Sequence, residues 1–298
     1  MPPISDLAPG SPQGGVGPAI HDLPPLHAAA AGNLYEEECD DSASCLELDD
    51  TPEIVRRIIL QDSSQIYIPA GPWGWLPIMY AADRGDASSV QAFLDHGETT
   101  ERLVHAVDGM EDTCLHIAAS RGHEAVVSVL LDHNAYIHAQ DCWGATPLAL
   151  AASNGHLAVV VQLLGAKKKP DISTRGVAEN KFCGKRWLNS QDEKIDRRVR
   201  ARMLEGRRGP IDQMQARMKV EGGERSEQGH RERLYDRVNN YGRSPLWRAC
   251  CQGHDEVVRA LLRAGCDPFL EDDQGVTPRA VAEEKGHNTT VALIDVRQ

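Results

Sequence analysis

The sequence predicts an all-α architecture: a solenoid of four to six stacked helix-turn-helix units with short connecting turns, interrupted by a basic helical insert. Three observations carry this. The same short pattern recurs along the chain with two steps of 33 residues. Each occurrence places small residues and a helix-ending glycine at fixed offsets. The composition, 41% apolar with only 5% aromatic residues, suits close packing of small side chains better than a β-sandwich.

The period is read from four segments that align on one template. They are GWLPIMYAADRG from Gly74, EDTCLHIAASRG from Glu111, GATPLALAASNGH from Gly144 and GRSPLWRACCQGH from Gly242. A fifth, GVTPRAVAEEKGH from Gly275, is a polar variant. At the template's proline position the steps are 37 from Pro77 to Cys114, 33 to Pro147, 98 to Pro245 and 33 to Pro278.

Each unit has a physical reading. Proline at the first helical turn sacrifices an amide that has no partner there anyway, and the Thr or Ser before it caps the exposed amides. The pairs Ala81-Ala82, Ala118-Ala119 and Ala151-Ala152 allow close helix approach. Gly85, Gly122, Gly155 and Gly253 close helix one. A second helix follows with Val and Leu at i, i+3, i+4 spacing, for example Val126, Val127, Val129, Leu130 and Leu131. One such hairpin cannot cover its own apolar face; stacked neighbours do.

In these residues the chain resembles the ankyrin-repeat family. The best matches to the T-P-L-H signature are Thr113-Cys-Leu-His116 and Thr146-Pro-Leu-Ala149, with Ser244-Pro-Leu-Trp247 behind them. The resemblance covers 71–166 and 239–297, roughly half of the chain. It implies that the turn before each helix one projects as a finger, and that partners touch the finger tips and the exposed side of helix one.

The expected organisation runs as follows. Residues 1–21 are Pro/Gly-rich and read as disordered. Residues 22–63 read as a degenerate first repeat, from PPLHAAAAGN and the later Thr51 to Leu60 stretch. It holds an acidic loop with nine Asp/Glu and no Lys or Arg across residues 36–53. Residues 71–166 hold three repeats, 167–238 a basic insert, and 239–298 a repeat plus a C-terminal capping repeat. In that cap Arg279 and Glu283 replace the template leucine and second alanine.

The net charge of −12 hides an asymmetry, because residues 167–238 carry 20 Lys+Arg against 12 Asp+Glu. The step of 98 is close to three periods, yet no Ala-Ala pair or second-helix run falls where hidden repeats would place them. Helices are expected in the insert instead. Ser190-Gln-Asp-Glu193 forms a capping box ahead of Ile195, Val199 and Met203, and a second helix starts at Gly209-Pro210. Lys185, Arg186, Arg197, Arg198 and Arg200 fit a bipartite nuclear-import pattern; a solvated helix face and a grip on an acidic partner or nucleic acid are the rival readings.

Catalytic chemistry has little support in the sequence. His116 has no accompanying nucleophile and oxyanion loop, and the resemblance implies that it stabilises its own turn. His123, His156, His254 and His287 recur at one template position and read as scaffold. Cys250, Cys251 and His254 lack further ligands at tetrahedral spacing. There is no phosphate-binding loop, dinucleotide fingerprint or H-E-x-x-H. No catalytic residue, metal, cofactor or small-molecule substrate is therefore expected.

The expected function is a non-enzymatic scaffold or adaptor, a monomer that binds one or more proteins. The alternative is a nuclear regulator whose insert binds nucleic acid or an acidic partner. The partner surface mapped through the resemblance consists of Trp73, Trp75, Met110, Trp143 and Tyr241 at the fingers, with Asp83, Arg84, Ser120, Arg121, Ser153, Asn154 and Gln252 as its polar rim. The first residues show neither a basic stretch nor an apolar run, so no secretory signal is expected, and the sequence shows no apolar run of bilayer length and no regular cysteine framework. A soluble protein of the cytoplasm, the nucleus or both is expected.

Overall fold

The computed structural model describes residues 23–32, 51–95, 100–166 and 235–296. The expectations for the Pro/Gly-rich start, for most of the acidic loop, and for the basic residues and helices of 167–234 lie outside them.

The described chain is a double row of short antiparallel helices. The inner row holds α1 (Pro25–Ala30), α3 (Pro77–Arg84), α6 (Cys114–Arg121), α8 (Pro147–Ser153), α10 (Pro245–Gln252) and α12 (Pro278–Glu284). The outer row holds α2 (Thr51–Gln61), α4 (Ala87–Leu94), α7 (Glu124–Asp132), α9 (Leu157–Gly165), α11 (Asp255–Ala264) and α13 (Asn288–Asp295). A 3-10 turn at Ser63–Tyr67 follows α2, and α5 (Thr100–Val104) follows α4. Each helix packs on its hairpin partner and on its neighbours in the row. Among the described residues β-pairing is limited to two isolated bridges, Ala70 with Trp75 and Val107 with Thr113.

Local chemistry explains the inner row. Thr113 Oγ1 accepts from the His116 amide while His116 Nδ1 accepts from the Thr113 amide at 3.1 Å, so histidine fills the role usually taken by glutamate in a capping box. Thr146, Ser244 and Thr277 cap α8, α10 and α12 through the amide three residues on. The end of α6 is set by Gly122, at φ 81°, and the equivalent Gly155 has φ 78°. Both values are conformations that favour glycine.

The same glycines explain the repeating histidines. A Cβ on Gly122 would lie 2.5 Å from His156 Nδ1, and one on Gly155 2.8 Å from the ring of His254. Each ring thus lies against the bare backbone of the preceding unit. Its Nε2 donates to a carbonyl there: His123 to Asp83 at 2.8 Å, His156 to Ser120 at 2.9 Å, His254 to Ser153 at 3.0 Å and His287 to Cys251 at 3.2 Å.

One core runs from Leu26 to Ile294 without a break. The long step between Pro147 and Pro245 leaves the stack intact, since α8 packs on α10 and α9 on α11. Tyr235 seals the join: it packs against the core and donates its hydroxyl to the Leu164 carbonyl at 3.0 Å. At the first unit, α1 pairs with α2 and stacks on α3. Buried His27 occupies the position that His116 holds in α6, and the Tyr80 ring meets it edge-on at 5.7 Å.

Candidate partner-binding surface

Four of the turns that precede the inner helices share one design. Asp108, Asp141, Asn239 and Asp272 stand six residues ahead of the opening of α6, α8, α10 and α12. In each, Oδ1 accepts the amides two and four residues on. The pairs are Met110 and Asp112 at 2.7 and 2.9 Å, Trp143 and Ala145 at 2.9 and 2.8 Å, Tyr241 and Arg243 both at 3.0 Å, and Gln274 and Val276 at 3.0 and 2.9 Å. One side-chain oxygen thereby folds each turn into a finger. These residues were not singled out in the sequence, although their recurrence at a fixed distance from the Pro position was there to find.

The fingers are joined tip to tip by backbone. Gly109 N donates to Trp73 O at 2.8 Å, Cys142 N to Met110 O at 2.9 Å, Asn240 N to Trp143 O at 2.8 Å and Asp273 N to Tyr241 O at 3.1 Å. Four of the five finger residues expected from sequence, Trp73, Met110, Trp143 and Tyr241, are therefore also the acceptors of the ladder.

Their side chains differ. Tyr241 is 47% exposed, Trp73 and Trp143 are half-buried, and Met110 is buried at 8%. Met110 thus offers little surface of its own. The Trp75 indole donates to Asp108 Oδ2 at 2.8 Å and meets Tyr80 edge-on, centroids 5.2 Å apart, which ties the first finger to the second.

The expected polar rim also divides. Arg84, Arg121 and Gln252 are exposed. Arg121 pairs with Asp83 at 2.7 Å across neighbouring units, a partly solvated contact worth about 1 kcal/mol or less. Ser120 is buried, and Asn154 donates to its carbonyl at 2.8 Å. The half-buried Ser153 accepts His254 at its carbonyl. Several rim residues thus stitch units together.

Four acids of the fingers are buried: Asp108, Asp112, Asp141 and Asp272. Burial raises Asp108 and Asp141 to about 6 against the amides that pull them down. Asp112 is held well above the usual carboxylate range by burial and by Asp108 and Asp141, and its Oδ1 accepts no hydrogen bond. Burial pushes the Cys114 and Cys250 thiols up to about 12, which suppresses the nucleophilic thiolate. It also lowers His116 to about 4, keeping the ring neutral, with Nε2 3.2 Å from both the Ala139 and Ala145 carbonyls. Among the described residues no group of three His, Cys, Asp or Glu side chains is placed to hold a metal ion, and no helix is long and apolar enough to cross a membrane.

A family model for ankyrin repeats in three copies matches residues 43–141 and 78–175, and a single-repeat model matches 241–273, together more than half of the chain. The chain belongs to the ankyrin-repeat family. A protein–protein interaction role accompanies that membership. Among curated proteins, the ankyrin chain is 41% identical over 56 residues to NF-kappa-B inhibitor alpha of Sus scrofa, which is 19% of this chain and 18% of that protein. It is 36% identical over 63 residues to potassium channel AKT1 of Oryza sativa subsp. indica, 21% of this chain and 7% of the channel. It is 48% identical over 46 residues to potassium channel AKT3 of Oryza sativa subsp. japonica, 15% and 5%. The chain spans less than a fifth of the length of each of these relatives.

Proposed function

We propose that this ankyrin array is a non-enzymatic, monomeric scaffold or adaptor that binds a partner protein along its finger tips and the adjoining face of the inner helices. The observation that carries the reading is the tip ladder. It holds Trp73, Trp143 and Tyr241 at least partly accessible on a row of pre-formed turns, so little ordering is left to be done on binding. The relative named for inhibiting NF-kappa-B is, by that name, a protein that acts on another protein, in keeping with the same use of the fold. An intracellular setting, cytoplasmic or nuclear, belongs to this reading; the described cysteines, four of them buried, form no disulfide with one another.

The test is partner capture by the tagged chain, comparing wild type with Trp143→Ala and Tyr241→Ala. Recovery of the same partner at unchanged yield by both folded variants overturns the finger surface as the contact.

A further inference from the structure

The fourth position of each inner helix is apolar in every described unit but one. It is Ala28 in α1, Tyr80 in α3, Ile117 in α6, Leu150 in α8 and Val281 in α12. In α10 it is Arg248, which is only 9% exposed. A buried guanidinium is costly unless paired and hydrogen-bonded. Among the described residues the Arg248 guanidinium has no hydrogen-bond or ion-pair partner within 4.0 Å. The acid in electrostatic reach is Asp141, whose Oδ1 is already taken by the amides of Trp143 and Ala145.

A second guanidinium lies beside it. Arg243, at the base of the Tyr241 finger, is close enough to Arg248 to repel it. It lies 4.2 Å above the Trp247 ring and 5.7 Å from that of Tyr241. Its buried Nε finds no hydrogen-bond acceptor, and its acid contact, Asp272, stands at 3.6 Å, too long to supply one. Two like charges, one of them with a buried Nε that finds no acceptor, have thus been brought together by the Trp143 and Tyr241 fingers, where the other units carry an apolar side chain.

We propose that Arg243 and Arg248 form a carboxylate-recognition point, so that the partner is an extended acidic segment whose Asp or Glu side chain enters between the Trp143 and Tyr241 fingers. The inference rests on the finger-face reading and adds the chemistry of the partner. Arginine suits the task, since its planar fork matches a carboxylate in two hydrogen bonds, and an anion between two guanidinium groups turns their repulsion into attraction.

The probe is fluorescein-labelled hexaglutamate, followed by anisotropy on the full chain at low salt. Saturable binding is expected, weakened at least tenfold by Arg248→Leu and likewise by Arg243→Gln. Arg248→Leu restores the residue type of Leu150, so it should fold with an unchanged or raised Tm. A triple Arg197→Gln, Arg198→Gln, Arg200→Gln variant should bind the probe as wild type does. Binding that survives Arg248→Leu, or is lost in the triple variant instead, overturns the proposal. So does a phosphoserine peptide that binds through these arginines while hexaglutamate does not. If partner capture depends on Trp143 and Tyr241 yet is indifferent to Arg248→Leu, the finger reading stands and the acidic-partner inference falls.

Discussion

His254 Nε2 lies 3.0 Å from the carbonyl oxygen of Ser153, 101 residues earlier in the chain. The same bond joins His156 to Ser120, where the separation is 36 residues. Geometry at this joint is therefore indifferent to how much chain lies between the two units. Gly155 completes the contact, since its bare backbone makes room for the ring.

His254→Ala should lower stability by about 1 kcal/mol, the usual net worth of one hydrogen bond. Gly155→Ala should cost more, about 1–3 kcal/mol, because alanine is strained at φ 78° and its Cβ meets the ring. In the double variant the steric part disappears while the strain remains. Urea denaturation of the four proteins should give a less than additive loss; strict additivity would show that ring and glycine do not press on one another.

Trp75→Phe should destabilise the chain by about 1–2 kcal/mol by leaving Asp108 Oδ2 without its indole donor in a buried setting. It should leave partner capture unchanged, in contrast to Trp143→Ala. Thermal melts and capture assays on the two variants check both halves.

The buried acids and histidines give opposite responses to pH. Asp108 and Asp141 stand near 6 rather than 3.8, so the folded state holds more protons than the unfolded one between about pH 4 and 6. Their contribution is fullest below pH 4 and is lost as pH rises through 6. His116 and His27 stand near 4 rather than 6.5; their contribution is present above 6.5 and is lost as pH falls toward 4.

Two variants separate these effects. Asp112→Asn removes a buried carboxyl that already favours its protonated form, and with it the repulsion from Asp108 and Asp141. It should stabilise the chain at pH 7.5, with a smaller gain at pH 5. His116→Gln should destabilise at pH 7.5, by a margin that narrows toward pH 5 as the wild type pays for its neutral ring. Denaturation midpoints at the two pH values test both; a His116→Gln penalty that grows on acidification would contradict the neutral-ring assignment.

The repeat was legible because proline, the Ala-Ala pair and the closing glycine each answer to backbone constraints that operate within a few residues. The role of His116 was given by the resemblance, and the structure supplies its partner, Thr113, three positions away. What escaped notice depends on neighbours in space. Nothing local to Met110 says that its side chain is buried, and nothing local to Trp75 announces Asp108 as its acceptor. Asp141 and Asn239 read as ordinary turn residues until the finger amides they collect are seen. Arg248 stands out only once its burial at a position that is apolar in the other units is seen. Helix α5 has no counterpart in the template; it occupies the stretch where the step from Pro77 to Cys114 exceeds 33.

The hydroxyl of Tyr235 on the carbonyl of Leu164 brings the departing and returning strands of chain to one spot on the outer row. With the two ends of that stretch 71 residues apart in sequence yet joined by one hydrogen bond, the latch is a natural point for grafting or removing a module by design.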